Sequence, residues 1–256
     1  MKHYYRLLNY EFGQLLRQVL SVCFGLIAMT AILITSELKN YTPYSVNERY
    51  EQLFSTANGP LIFLISYLVL MFAFILSLRA PYTGGKSIYT FLTLPVRREW
   101  LYISKLSAFL ISILLLLSSQ LVAYVLGYKL MEQHISSYGD GQFVMHNGLF
   151  LSFIRSDFMR IIWPFSLIGL LSTASIILVS ITAIYYGHLA IQSNKRWRLV
   201  PIAVIPSLLI GMIGIQSSRL MDYDEHKLIL PSLILLCLSL LFIWHTIWLL
   251  RKGDVA

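Results

Sequence analysis

Long blocks without charge are the feature that most limits what this chain can fold into. The longest lies between Arg160 and Lys195, where 34 consecutive positions carry no Asp, Glu, Lys or Arg. Blocks of ~18 or more apolar residues are typical of membrane-spanning helices. Only 12% of the residues are charged and 57% are hydrophobic, whereas soluble domains carry ~25% charged residues. The sequence therefore predicts an all-α integral membrane protein and excludes an ordinary soluble enzyme.

The apolar blocks predict a single transmembrane domain of six helices over residues 1–256. The fourth block is longer than a ~30 Å hydrocarbon core requires, so its helix must tilt, break near Pro164 or project from the membrane. The six spans are predicted at about residues 19–36, 60–78, 106–128, 162–186, 199–217 and 228–250.

An N-terminal amphipathic helix is predicted at residues 2–18, before the first span. Basic and polar side chains at helical spacing occupy its other face, which is typical of a helix that lies in the headgroup layer. Its predicted apolar face consists of Tyr5, Leu8, Phe12, Leu15, Leu16 and Val19.

The distribution of basic residues predicts the orientation. Placing both termini in the cytoplasm puts 13 of the 20 Lys and Arg residues on the cytoplasmic side, as the positive-inside rule requires. Loops 37–59 and 129–160 then lie outside. In a membrane protein a basic excess indicates topology, so we expect no nucleic-acid partner and a multi-pass protein of a bacterial-type cytoplasmic membrane.

Motifs for catalysis are weak in this chain. The run T-G-G-K-S at 83–87 resembles the end of a phosphate-binding loop, but Ala80 replaces the first glycine and Pro81 follows a predicted membrane helix rather than a strand. The six histidines show no H-x-x-x-H spacing, and Cys23 and Cys237 lie in apolar blocks. No acidic residue falls within a predicted span. The sequence therefore predicts no catalytic, cofactor-binding or metal-ligating residue.

The loop between the second and third predicted spans, residues 86–105, stands out. It is cytoplasmic by the charge count, and Pro95 divides it because proline breaks a helix interior. We predict a short helix at about 86–93, a turn at 94–96 and a second helix from Arg97 into the third span. The side chains predict a docking surface for a cytoplasmic partner, and the alternative is an interfacial segment without a partner. The predicted docking residues are Tyr89, Phe91, Leu92, Leu94, Pro95, Val96, Arg97, Arg98, Glu99 and Trp100.

The sequence L-P-V-R-R-E at 94–99, followed by Lys105 at the start of the third span, resembles the corresponding loop in permease subunits of type-2 ABC exporters. The resemblance extends over the layout of an amphipathic helix and six spans. It implies that residues 87–100 form a coupling helix that docks onto a separate ABC ATPase subunit. ATP and Mg²⁺ would be bound by that partner and not by this chain, and a second permease chain, identical or related, would help enclose the substrate path.

Two differences from that family bear on the substrate. Arg97 stands where the family often has Ser or Thr, and the 219–227 loop is too short for the re-entrant helices of polysaccharide and lipid exporters. The resemblance therefore favours a peptide, an antibiotic or another amphiphile. Polar residues within spans are candidate contacts along the path, with hydrogen bonding between helices as their alternative role: Ser118, Ser119, Gln120, Ser172, Thr173, Ser175 and Ser180.

Two functions of other classes stay open at this point. One is a non-transporting membrane immunity or sensor protein that binds a peptide without ATP. An adjacent reading frame for a P-loop ATPase would favour the exporter instead. The other is an intramembrane enzyme, which the absence of acidic residues from the predicted spans disfavours.

Overall fold

A computed structural model of the chain describes residues 2–42, 48–80, 98–136, 148–192, 214 and 228–252. Within these residues the regular secondary structure is helical and contains no strand. The principal helices are α1 (Lys2–Leu38), α2 (Tyr50–Thr56), α3 (Gly59–Arg79), α4 (Arg98–Ser136), α5 (Leu149–Arg155), α6 (Asp157–Ile162), α7 (Leu167–Gln192) and α8 (Ile229–Lys252).

Five of these helices, α1, α3, α4, α7 and α8, are long and apolar enough to cross a membrane. This agrees with the predicted all-α membrane class and indicates a multi-pass membrane protein. The predicted fifth span, 199–217, lies outside the described residues apart from position 214. A sixth span therefore stays a prediction.

Helices α1 and α4 are much longer than a bilayer requires. They contain 37 and 39 residues, which is ~55–60 Å at 1.5 Å per residue, against a hydrocarbon core of ~30 Å. The predicted amphipathic helix at 2–18 and the first span at 19–36 form one uninterrupted helix. That the first half lies in the headgroup layer stays a prediction.

The long uncharged block is divided at its proline. Helix α6 ends at Ile162 and α7 begins at Leu167, so of the three sequence alternatives the structure has the break near Pro164. The backbone N–H of Gly169 donates a hydrogen bond to Ser166 Oγ at 3.2 Å, which satisfies a donor at the helix start. A side chain at 169 would come within 2.5 Å of the Pro164 Cβ, so this turn requires glycine.

The described helices belong to two compact units. The first unit comprises Met1–Leu16, Met71–Ser112 and Trp163–Ala256. Its core is the α7–α8 contact, where Val179, Ala183 and Tyr186 pack in one buried cluster with residues that include Phe242.

The second unit comprises Arg17–Leu70 and Ile113–Ile162. Its core is aromatic, with Tyr50 of α2 buried against Tyr124 of α4 at a ring distance of 4.8 Å. Tyr50 Oη donates a hydrogen bond to the Tyr124 carbonyl at 2.7 Å, and Tyr124 Oη donates to the Ser152 carbonyl at 3.0 Å. Burial, aided by the neighbouring Tyr124, raises the pKa of the Tyr50 phenol above its usual value.

Candidate functional site at the start of α4

The predicted docking residues fall at the edge of the described structure. Tyr89, Phe91, Leu92, Leu94, Pro95, Val96 and Arg97 lie outside the described residues. Helix α4 is described from Arg98 onward, and the predicted helix start at Arg97 lies outside the described residues. Glu99 and Trp100 are described, and they show what the helix contacts where the loop joins it.

Glu99 contacts the last turn of α8. Arg251 Nε donates a hydrogen bond to Glu99 Oε1 at 2.6 Å. The Arg251 side chain is 67% exposed, so solvent screens this pair and the pair contributes little to stability. The pair joins the C-terminal end of α8 to the first turn of α4 and so helps to position these two helix ends.

Trp100 contacts the beginning of α1. Its ring lies 5.6 Å from the ring of Tyr4, and Tyr4 Oη donates a hydrogen bond to Ser107 Oγ at 2.8 Å. Trp100 is still 41% exposed. The indole therefore packs against α1 and also offers apolar surface for another contact.

Lys105 forms a buried ion pair with α1. Its Nζ lies 3.6 Å from Glu11 Oε2, with side-chain exposures of only 10% for Lys105 and 3% for Glu11. Buried charges are costly unless they are paired, so the pair fixes the register of α1 against α4. Sequence reasoning included Lys105 in the loop motif but missed Glu11, although Glu11 is the single acid among residues 1–36.

Two histidines complete this region. His188 of α7 donates a hydrogen bond to the Leu78 carbonyl at the end of α3, and it lies within electrostatic range of Lys105. His245 of α8 packs between the rings of Tyr186, at 5.4 Å, and Trp248, at 5.6 Å. In this region α1 and α8 contact the first turns of α4. Helix α7 contacts the end of α3 through His188, and His188 also lies within electrostatic range of Lys105 in α4.

The chemistry of this region is suited to mechanical linkage. Its contacts are ion pairs, hydrogen bonds and stacked rings between helices. Among the described residues, no group of three or more His, Cys, Asp or Glu side chains is placed to hold a metal ion.

Most of the candidate substrate-path residues are satisfied within their own helices. Gln120 and Ser172 differ, because both are fully buried and their side-chain polar atoms have no hydrogen-bond partner in the described part of the chain. An unsatisfied buried polar group costs ~1–3 kcal/mol, and polar residues at membrane depth mark functional paths. The five that donate hydrogen bonds to carbonyls three or four residues earlier are Ser118, Ser119, Thr173, Ser175 and Ser180.

The second unit contains a cavity of about 390 Å³ beside α2, α5 and α6. It falls within the loops predicted to lie outside. Both signs of charge line it together with two phenyl rings 5.8 Å apart, so its composition selects no single class of ligand. Its lining residues are Arg49, Glu51, Gln52, Phe54, Ser55, Arg155, Ser156, Asp157 and Phe158.

Comparison with known proteins adds no family to this description. No protein-family model matches the chain, and neither a curated protein nor a solved structure is detectably similar to it.

Proposed function

We propose that this chain is the permease subunit of an ATP-driven ABC exporter in the cytoplasmic membrane. It moves an amphiphilic substrate by alternating access, and a separate ATPase subunit binds ATP and Mg²⁺. The observation that carries the proposal is the start of α4. Glu99, the last residue of the L-P-V-R-R-E run, contacts α8, and Trp100 and Lys105, which follow the run, contact α1.

These contacts give a route for mechanical work. In this proposal the partner ATPase displaces residues 87–100, and the first turns of α4 move with them. Movement of α4 is then transmitted to α1 through the Glu11–Lys105 pair, because separating a buried charge from its partner costs ~3–5 kcal/mol. The exposed Glu99–Arg251 pair couples the movement of α4 to α8 more weakly. The first and last helices are therefore both linked to one docking segment.

In this proposal each of the two unsatisfied polar side chains is a candidate substrate contact within its own compact unit. Gln120 offers an amide and Ser172 a hydroxyl, and each has unused hydrogen-bonding capacity within the described residues. A largely apolar path with a few polar groups suits an amphiphile such as a peptide or an antibiotic. A second permease chain, identical or related, completes the path, and both termini lie in the cytoplasm.

The test is retention of the ATPase by permease variants purified from native membranes. Truncating an apolar anchor at an interface hot spot costs ~2 kcal/mol or more, which is ~30-fold in affinity. We therefore expect Leu94→Ala and Trp100→Ala to insert normally but to lose the ATPase and export. Trp244→Ala is the matched control, because Trp244 is 66% exposed and belongs to α8 rather than to residues 87–100.

Two results would refute the proposal. One is that Leu94→Ala and Trp100→Ala retain both the ATPase and export. The other is that the wild-type protein binds a peptide tightly while no ATPase copurifies and ATP has no effect, which would favour the immunity or sensor function.

A further inference from the structure

A groove of about 500 Å³ lies between the first turns of α1 and the middle of α4, within the first unit. Both helices are candidate membrane spans, and the predicted headgroup-layer position of residues 2–18 would surround the groove with lipid chains and headgroups rather than bulk water. Five of its residues come from α1 and one from α4: Tyr5, Arg6, Leu8, Asn9, Phe12 and Ile111.

The groove has an apolar part and a polar part. Leu8, Phe12 and Ile111 supply hydrocarbon surface, while Arg6 and Asn9 supply donors. Residues three apart are neighbours on a helix surface, so the guanidinium of Arg6 and the amide of Asn9 stand together. Both residues are exposed. Within the described residues, neither has an ion-pair or hydrogen-bond partner.

The charge of Arg6 is not neutralised by its own helix. The one acid in the first 36 residues is Glu11, and its carboxylate is buried against Lys105. The whole chain carries a formal charge of +8. An exposed guanidinium that lines an apolar groove and has no partner among the described residues is complementary to an anionic headgroup that is attached to an acyl chain.

We propose that this groove binds one anionic glycerophospholipid. The phosphate lies on the Arg6 guanidinium with the Asn9 amide beside it, and an acyl chain lies along Leu8, Phe12 and Ile111. A lipid in this position covers apolar surface of α1 and α4 together, so it stabilises the packing that also contains the Glu11–Lys105 pair. This lipid site does not depend on the proposed transport function.

The experiment measures lipid retention and stabilisation of the full chain in detergent. Native mass spectrometry counts bound lipids, and thermal unfolding follows stabilisation by phosphatidylglycerol and by phosphatidylcholine with the same acyl chains. We expect one phosphatidylglycerol per chain and a higher unfolding midpoint with that lipid. We expect Arg6→Ala to weaken binding about tenfold or more, the scale of losing a hydrogen bond to a charged group.

Arg17→Ala is the matched control. Arg17 lies in the same helix, is exposed, and its replacement removes the same charge outside the groove, so its lipid affinity should equal that of the wild type. Ile111→Ala tests the acyl contact and should also weaken binding of phosphatidylglycerol.

Several outcomes would overturn the site. Equal lipid affinities for Arg6→Ala and Arg17→Ala would show that Arg6 does not contact the headgroup. An unchanged lipid affinity for Ile111→Ala would show that Ile111 does not contact the acyl chain. Equal stabilisation by phosphatidylcholine would mean that the anionic charge is not recognised. Equal stabilisation by inorganic phosphate would identify a phosphate site rather than a lipid site.

Discussion

Gly127 shows at the scale of one residue how closely α2 and α4 pack. A Cβ at this position would come within 2.5 Å of Tyr50 Oη and would also overlap the end of the Ile34 side chain. The Tyr50 hydroxyl has little freedom to move, because it donates its hydrogen bond to the Tyr124 carbonyl. Small residues permit close approach of this kind in membrane helices.

Gly127→Ala should therefore destabilise the protein. Overpacking costs ~1–3 kcal/mol, and displacing Tyr50 also weakens a hydrogen bond worth ~0.5–1.5 kcal/mol. These losses exceed the ~1 kcal/mol that alanine gains in helix propensity. The measurement is the free energy of unfolding in detergent.

Gly25→Ala is the control for that measurement, since a Cβ at Gly25 meets nothing within 4 Å. In the Tyr50→Phe background, Gly127→Ala should cost less, because the hydroxyl that it displaces is gone. Equal unfolding free energies for Gly127→Ala and Gly25→Ala would contradict this account of the packing.

The raised pKa of Tyr50 predicts a loss of stability in alkali. In the unfolded chain its phenol ionises near pH ~10, whereas in the folded protein it stays protonated to a higher pH. Above pH ~10 the unfolded state then binds fewer protons, so the free energy of unfolding falls as the pH rises. One such group contributes at most ~1.4 kcal/mol per pH unit.

Tyr50→Phe removes this group, so its free energy of unfolding should fall less steeply than that of the wild type between about pH 9 and 11. Comparing the two slopes cancels the titration of the remaining tyrosines and lysines. Parallel slopes would show that Tyr50 does not resist ionisation.

At the scale of elements, the buried Glu11–Lys105 pair joins α1 and α4, and we expect it to contribute to the stability of their packing. Lys105→Met leaves Glu11 buried without its partner, which should cost ~3–5 kcal/mol. Replacing both residues by leucine should recover most of that loss, because an apolar pair carries no desolvation penalty. Arg251→Gln is the comparison for an exposed pair and should cost far less than Lys105→Met, because solvent screens the exposed charges.

The same variants test the proposed mechanism. If the pair transmits movement from α4 to α1, the double leucine variant should fold and retain the ATPase but export poorly. Full export by that variant would show that the pair serves stability alone. Similar unfolding free energies for Lys105→Met and Arg251→Gln would contradict its burial.

The described helices were largely predictable from the sequence, whereas their contacts were not. Apolar blocks indicate where membrane helices run, and Pro164 indicated a break. The faces of α1 were harder to predict, because lipid and protein both cover apolar side chains. Tyr5, predicted on the apolar face, is 67% exposed, while the protein-facing side contains Glu11. No periodicity shows that this acid pairs with a lysine 94 positions later.

At the scale of the whole molecule, the ends of α7 and α8 bear on the number of spans. Tyr185, near the end of α7, lies 4.7 Å from Tyr102 of α4, and Arg251, at the end of α8, pairs with Glu99. Both helices therefore end beside the first turns of α4. Two spanning helices that end on the same side need an odd number of crossings between them. The single span predicted at 199–217 meets that requirement.

Labelling with an impermeant maleimide on intact cells tests this topology in a background without Cys23 and Cys237. Helix α3 separates Gln52 from Ala80, so with both termini in the cytoplasm Gln52→Cys should react from outside and Ala80→Cys only after permeabilisation.

The crossing between α7 and α8 is tested by a second pair of positions. Asn194→Cys should react only after permeabilisation, and Asp224→Cys should react in intact cells, because one span is predicted between them. Reaction of both from the same side would exclude a single crossing there. Reversed labelling at all four positions would place the docking segment outside the cell, where ATP is scarce, and would refute the exporter proposal along with the orientation.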